Sequence, residues 1–226
     1  MDMSSVRVSN RISVLRMMKT LLTLLLVSAR CAEQGTCLSV AQRIDPNTKI
    51  AFPVKSSFEE GELVLAGVGS RVKAYIVTVY SVGLYADGAE LSRGAAAKAL
   101  LNGGGRLGVV LTFYMSVGAK KVADALAAVS GVDDQVIQDF QAMLVSAMNG
   151  NMNKGESMTL EWTSKRDSII VTVRGKKISE IKDASLAKGL LDMYLGKQAV
   201  SPSLLKDIDS FAPEVVKSLG DPSASC

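Results

Sequence analysis

The sequence predicts an α+β domain in which strands and helices occupy separate stretches of the chain. Apolar residues alternate over much of residues 49–85, which is typical of strands. Apart from one strand, helical periodicity then dominates residues 89–148, and a hairpin and two more helices follow. This order differs from the regular strand–helix alternation of a parallel α/β sheet. The 226 residues are enough for one domain with a substantial core, which we place at residues 46–219.

The N-terminal part of this domain is predicted to consist of strands. KIAFPV, at residues 49–54, contains Pro53 and fits an edge strand, because proline cannot donate to a ladder. ELVLAGV, at residues 62–68, is the second strand, and we expect the chain to turn over residues 67–71. The G-x-G of GVGSR lacks the third glycine and the helix that a phosphate-binding loop requires. Residues 72–85 form a long strand, or two strands with a bend.

The middle of the domain is predicted to hold three helices and one buried strand. Residues 89–102 are rich in alanine and stop at three successive glycines. Residues 106–113 are almost continuously apolar, which predicts a central strand. Residues 119–129 and 133–148 each carry a helical stripe, and the two acids that open the second stripe suit the positive end of a helix.

The C-terminal part is predicted to form a hairpin followed by two helices. Residues 158–162 and 169–173 alternate apolar and polar side chains on either side of a short polar turn. Residues 183–195 form a helix that ends at a glycine, with Tyr194 on its inward face. The last helix begins at Ser201, which caps it and is followed by proline in the first turn.

The N-terminus has the composition of a targeting segment. A basic stretch precedes the apolar run LLTLLLV at residues 21–27, and this run is too short to cross a bilayer. We predict that residues 1–32 are a signal or transit peptide that is removed, and the alternative is a structured first helix. Residues 33–45 then form a linker and residues 220–226 a tail. The mature chain is predicted to have no transmembrane span and to reach an organelle or the secretory route.

Composition excludes several classes of function. The chain has no histidine, which excludes Ser-His-Asp and Cys-His catalysis within it and removes the commonest metal ligand. Its three cysteines have no metal-like spacing, so we predict neither a metal site nor a cofactor. Residues 1–30 hold five basic groups and one acid, which leaves 21 of each charge in residues 31–226. Without a net positive field, we predict no nucleic-acid partner.

Arg71 and a nearby strand tyrosine are candidate binding residues. The stretch after Arg71 reads as a strand that carries Tyr80, and a guanidinium beside a strand tyrosine is a good receiver for a carboxylate or a phenolate. The alternative is that Arg71 is solvated at a strand start and that the tyrosine packs. Six methionines of the patterned region, Met193 among them, either line an adaptable apolar pocket or fill the core.

Two stretches of the sequence resemble the chalcone isomerase family. The first is GVGSR with the VYSVGLYAD that follows it, and the second is LLDMYLGKQAVSPSLL at residues 190–205. The resemblance spans about residues 60–205 and implies an open-faced β-sandwich, a large antiparallel sheet with a layer of helices and a ligand cleft between them. The family contains plant enzymes that close a chalcone into a flavanone, and non-catalytic fatty-acid-binding members that are often in plastids. The resemblance therefore favours a plastid as the organelle.

The resemblance also places family residues on this chain. The key arginine of the enzyme falls on Arg71 and its strand threonine on Tyr80, and the fatty-acid binders use an arginine and a tyrosine on these strands to hold a carboxylate. The enzyme's catalytic tyrosine falls on Gly118, its helix asparagine on Ala125 and a further hydroxyl residue on Met193. These three replacements remove polar groups and leave an apolar cleft with a cation at one end.

The sequence therefore predicts a non-catalytic protein that binds a long-chain fatty acid or another small apolar acid. Arg71 and Tyr80 hold the carboxylate in this interpretation, and Met193 and Tyr114 contribute to the ligand site. The alternative is a chalcone–flavanone isomerase, an intramolecular lyase in which Arg71 polarises the electrophile and Tyr114, after a register shift, orders water. A third hypothesis is a helper that binds another enzyme and no small molecule. The oligomeric state is left open.

Overall fold

The computed structural model describes residues 42–73 and 77–220. The predicted targeting segment, most of the predicted linker and residues 221–226 of the predicted tail lie outside the described residues. Among the helices in the described part, none is long and apolar enough to cross a membrane.

Within the described residues, the strands form one large sheet and two small ones. The first two strands, β1 Gln42–Ile44 and β2 Ala51–Pro53, pair with each other. The remaining strands, in chain order, are β3 Lys55–Phe58, β4 Gly61–Lys73, β5 Val77–Ala86, β6 Leu107–Phe113, β7 Val117–Gly118, β8 Asn151–Met152, β9 Ser157–Trp162, β10 Ile169–Val173 and β11 Lys176–Ile181. The large sheet has the order β11-β10-β9-β6-β5-β4-β3, and β7 pairs with β8. Every neighbouring pair is antiparallel, which confirms the predicted large antiparallel sheet.

Helices occupy the connections between strands and the C-terminal part of the domain. In chain order they are α1 Gly88–Arg93, α2 Ala97–Asn102, α3 Ala119–Leu126, α4 Asp134–Met148, α5 Ala184–Leu195 and α6 Pro202–Gly220. Together with the sheet they confirm the α+β class.

The two faces of the sheet have different neighbours. Cross-strand partners share a face of an antiparallel sheet, so Arg71 lies on the same face as Tyr80, and Ser70 lies on the other face with Ser81. The Arg71 face packs against α5 and α6. On the other face, the Ser81 hydroxyl donates to Asp45 of the N-terminal segment at 2.5 Å. A large antiparallel sheet with its helices on one face is the arrangement of the predicted open-faced sandwich.

Helix α6 completes the edge of β4, the strand that carries Arg71. β3 pairs with only the first part of β4, so the rest of that edge needs other partners for its backbone groups. Asp207 accepts from the backbone N–H of Val68 at 2.8 Å, and the Ser203 hydroxyl accepts from that of Ser70 at 3.1 Å. The Ser201 hydroxyl donates to the carbonyl of Ser70 at 3.0 Å. These bonds fix the outer part of β4 to the start of α6.

Several local predictions are confirmed. The strand expected to be central is β6, which pairs with β5 on one side and β9 on the other. β9 and β10 form the predicted hairpin. Asp133 caps α4 by accepting from the backbone N–H of Gln135 at 2.8 Å, and Asp183 caps α5 by accepting from that of Leu186 at 2.7 Å.

Other predictions were wrong at particular residues. The turn expected over residues 67–71 is absent, because β4 continues through them as a buried strand. The helix expected over residues 89–102 is two helices, since residues 94–96 leave helical geometry. β1 lies within the stretch predicted as a linker, residues 33–45. β3 and β11 were not predicted, because they are polar edge strands with little apolar alternation.

Arg174 joins three segments near the end of α4. Its guanidinium donates to the carbonyls of Met148 at 3.0 Å and Asn151 at 2.5 Å, and it pairs with Glu156 at 2.9 Å. Met148 is the last residue of α4, so Arg174 satisfies a carbonyl that the helix leaves free. The hydrogen bond from Arg174, followed by one from the backbone N–H of Asn153, lowers the pKa of Glu156 to about 2.

Replacing Arg174→Gln is expected to destabilise the fold by about 1–2 kcal/mol, because two carbonyls lose their donor. The folded-state pKa of Glu156 is below its ordinary value of 4.5, so its pairing stabilises the fold above that pH and is lost as pH falls toward 2. Urea unfolding of the wild type and the variant should therefore show a difference that shrinks over this range. The control is Arg174→Gln made in a Glu156→Gln background, where the pH-dependent part of the difference should be missing. A difference that stays constant with pH would contradict the prediction.

A candidate ligand site between the sheet and helix α3

Arg71 and Tyr80 are brought together by the register of β4 and β5. They are direct cross-strand partners, and the Arg71 Nη1 donates to the Tyr80 Oη at 3.4 Å. The guanidinium carbon lies 5.8 Å from the centroid of the Tyr80 ring. Arg71 is half-buried and Tyr80 is buried. Because a guanidinium only donates, the Tyr80 hydroxyl keeps its own proton for another acceptor.

Tyr194 makes a further contact with this pair. It comes from α5, it is fully buried, and its hydroxyl lies 3.5 Å from that of Tyr80. Burial, followed by the neighbouring Tyr80, raises the pKa of Tyr194 well above its ordinary value. Tyr194 therefore remains a neutral phenol that hydrogen-bonds Tyr80. The sequence predicted that this residue points inward, but it did not predict the contact of its hydroxyl with Tyr80.

A cavity of about 250 Å³ opens beside Arg71 and Tyr80. Most of its lining is apolar and comes from β5, β6, the segment around β7, and α3: Val77, Val79, Leu111, Phe113, Met115, Val117, Gly118, Val122, Ala125 and Leu126. The polar side chains of the lining are Arg71, Lys73, Tyr80, Ser116 and Lys121. This composition suits a ligand with an apolar body and a negatively charged end.

The charges around the cavity are all positive. Arg71, Lys73 and Lys121 line it, and within the described part of the chain no carboxylate lines it with them. None of these three cations forms an ion pair with another described residue. Their charge is therefore available to an anionic ligand. Among the described residues there is also no cluster of three or more acidic or cysteine side chains that could hold a metal ion.

Comparison with known proteins identifies the fold that carries this cavity. A family model described as chalcone isomerase-like matches residues 47–208, more than half of the chain. The chain belongs to the chalcone isomerase-like family. It is similar in structure to the Arabidopsis thaliana fatty-acid binding protein AtFAP1, with a TM-score of 0.62 and 18% sequence identity, over 78% of this chain and 99% of that one. No curated protein matches the sequence significantly.

Other positions assigned through the family resemblance fall on either side of the cavity boundary. Gly118 and Ala125, onto which the resemblance places a tyrosine and an asparagine of the enzymes, both line the cavity and bring no polar side chain to it. Met193 is buried in α5 and does not belong to the lining. Tyr114 is 39% exposed, with the Lys154 ammonium 5.2 Å from its ring centroid, and it also lies outside the lining.

The structure thus groups Arg71 and Tyr80 and leaves Met193 and Tyr114 outside the cavity. It adds three polar residues that the sequence did not indicate for the site, Lys73, Lys121 and Tyr194. Lys73 follows Arg71 by two residues, and Lys121 lies in the first turn of α3. The spacing of Lys121 from Arg71 along the chain gave no signal, because β5 and β6 separate α3 from β4 in sequence.

Proposed function

We propose that the chain binds a fatty acid, or another small apolar acid, in the cavity beside α3. The observation that carries the proposal is the Arg71–Tyr80 pair at an apolar cavity without a carboxylate in its described lining. The carboxylate accepts hydrogen bonds from the Arg71 guanidinium and the Tyr80 hydroxyl, and the alkyl chain lies against α3 and β6. The structural similarity to AtFAP1, a fatty-acid binding protein, supports this assignment.

The physical chemistry of the pair favours a carboxylate. Arginine stays charged at all physiological pH values and offers a planar set of donors that matches a carboxylate. Arg71 has no ion-pair partner among the described residues, so binding breaks no existing salt bridge. Tyr194 holds the Tyr80 hydroxyl in place, which reduces the entropy that a ligand must remove.

The size of the cavity bears on the length of the chain. Its volume of about 250 Å³ is slightly below the range of about 300–1,000 Å³ that is usual for ligand pockets. We therefore expect a chain of medium length to fill it and a longer chain to extend past Val77 and Met115. Both side chains line the cavity and are more than two-fifths exposed, at 45% and 41%.

The apolar lining at Gly118 and Ala125 supports binding over ring closure. Cyclisation of a chalcone requires groups that stabilise the charge developing on the substrate, and these two positions offer only hydrogen and methyl side chains. Arg71 and Tyr80 remain as polar groups, and both suit a carboxylate that is bound and does not react. Binding a carboxylate therefore uses every polar group that the pair provides.

The proposal is tested by identifying what the protein carries. The full chain is purified without added lipid, denatured and extracted, and the extract is analysed by mass spectrometry. We expect close to one fatty acid, or another small apolar acid, per chain in the wild type. Ala125→Phe, which fills the cavity from α3, should lose it, whereas Ala128→Phe, an exposed position outside the lining, should retain it. A wild type that is empty and does not bind added decanoate would overturn the proposal.

A further inference from the structure

We propose that the natural ligand carries a dianionic phosphate head on its alkyl chain, held by Arg71, Lys73 and Lys121 together. This inference rests on the proposed function, because it places the alkyl chain in the same cavity. The new element is the identity of the ligand's head group. A carboxylate is matched by Arg71 and Tyr80 alone, so a carboxylate does not explain why two lysines line the same cavity.

The first observation is the excess of positive charge. Three cations line one cavity of about 250 Å³, and its described lining contains no acid. Like charges that share a small space repel each other, and a single carboxylate offsets only one of them. A phosphate monoester carries between about 1.5 and 2 negative charges near neutral pH and has three acceptor oxygens. It can receive the guanidinium and both ammonium groups.

The second observation is the position of Lys121 on its helix. α3 begins at Ala119, and its first turn contains Lys120 and Lys121 and no acid. A cation at this end opposes the helix dipole, so both lysines weaken the helix locally. Lys120 is compensated by Asp124, whose carboxylate lies 3.1 Å from its ammonium. Lys121 has no ion pair among the described residues and lines the cavity instead. A side chain that breaks a local rule is expected at a functional site.

The surroundings also favour a head at the cavity mouth. Lys73 and Lys121 are exposed, Arg71 is half-buried, and the apolar residues Val122 and Leu126 are buried. The charged end of the ligand therefore lies near solvent and the alkyl chain lies inward. The same phosphate monoester could belong to a soluble alkyl phosphate or to lysophosphatidic acid in a membrane, because both present the same oxygens to these cations.

The experiment compares two ligands with the same alkyl chain, decyl phosphate and decanoate, titrated into the full chain by calorimetry. We expect decyl phosphate to bind about tenfold more tightly near pH 7.5, since two partly solvated lysine contacts each add a modest amount. The preference should fall toward unity below about pH 6, where the phosphate takes up its second proton. Inorganic phosphate alone should bind far more weakly than decyl phosphate, because it lacks the chain.

Neighbouring lysines provide a matched control. Lys121→Gln should reduce the preference for decyl phosphate from about tenfold to about threefold and leave decanoate affinity within about twofold, whereas Lys120→Gln should leave both unchanged. Lys121→Arg should keep the preference, which shows that charge at this position is what matters. The melting temperature of Lys121→Gln should be equal to or above that of the wild type, because a charge that opposes the helix dipole is removed.

The possible results distinguish failure of this inference from failure of the fatty-acid proposal. Equal affinity for decyl phosphate and decanoate would overturn this inference and leave the fatty-acid proposal standing, whereas failure to bind either ligand would overturn both. A preference that Lys120→Gln reduces as much as Lys121→Gln would also overturn it, since it would then reflect net charge alone. Phosphatidylcholine vesicles that contain lysophosphatidic acid distinguish the two sources of the phosphate. If the protein removes the lysolipid from the vesicles, the source is a membrane. If it binds monomeric decyl phosphate but removes no lysolipid, the source is soluble. Both support the phosphate head.

Discussion

Replacing Arg71→Gln is expected to weaken decanoate binding roughly 30- to 150-fold, equivalent to about 2–3 kcal/mol. Arg71 is half-buried and lines an apolar cavity, so its loss leaves the ligand carboxylate partly desolvated without its cation. The same variant should release co-purified ligand during purification. Calorimetric titration of the full chain measures the first effect, and mass spectrometry of the extract measures the second.

Three variants show that this loss belongs to the site. Tyr80→Phe removes one neutral hydroxyl and should cost only about 1 kcal/mol of binding free energy, roughly fivefold. Arg71→Lys keeps the charge and loses the planar donors, so it should fall between these two. Arg93→Gln, whose side chain is 70% exposed on α1, should bind as the wild type does. If Arg71→Gln binds decanoate as tightly as Arg93→Gln, the carboxylate is held elsewhere.

The sequence was sufficient where local pattern decides structure. β6 was placed in the centre of the sheet because its residues are buried along almost the whole strand, which leaves a continuous apolar run. The start of α4 was found because two acids there suit the positive end of a helix, and in the structure Asp133 caps its first turn. β3 and β11 were not predicted because each lies at an edge of the sheet, where polar side chains are tolerated and the alternation of apolar and polar residues is weak.

The site was predictable only in part, because its residues come together through packing. Arg71 and a nearby strand tyrosine were candidates from the residues alone, and the family resemblance paired Arg71 with Tyr80. The β4–β5 register makes the two partners. Tyr194 looked like any tyrosine on an inward stripe, since its contact with Tyr80 depends on how α5 lies on the sheet. Lys121 looked like a solvated lysine, and only the position of α3 beside the cavity distinguishes it from Lys120.

The glycines of GVGSR show how one pattern supports two structures. We expected a turn there, because glycine is the usual residue of tight turns. In the structure, Gly67 and Gly69 lie inside β4, and their missing side chains make room for the backbone of α6. A β-carbon at Gly69 would lie 2.5 Å from the backbone nitrogen of Leu204 and 2.7 Å from the hydroxyl of Ser201. Close approach of two backbones is a long-range requirement that a local reading of the sequence does not contain.

Gly69→Ala is therefore expected to destabilise the fold by about 3 kcal/mol or more, because the atom it meets is backbone and α6 must move away. For a domain of this size the melting temperature should fall by roughly 6–12 °C. Gly104→Ala is the matched control, since a β-carbon there meets nothing within 4 Å, and it should be neutral within about 0.5 kcal/mol. Equal melting temperatures for the two variants would show that α6 adapts without cost.

Gly69→Ala should also weaken ligand binding. Gly69 precedes Arg71 by two residues on one strand, and α6 holds that strand edge through Ser201, Ser203 and Asp207. A shift of α6 away from β4 disturbs these bonds and, with them, the position of the guanidinium opposite Tyr80. Gly69→Ala should then bind decanoate more weakly than Gly104→Ala even well below its melting temperature. Lost stability with unchanged affinity would mean instead that the β4–β5 ladder alone positions Arg71, and that α6 only protects the edge.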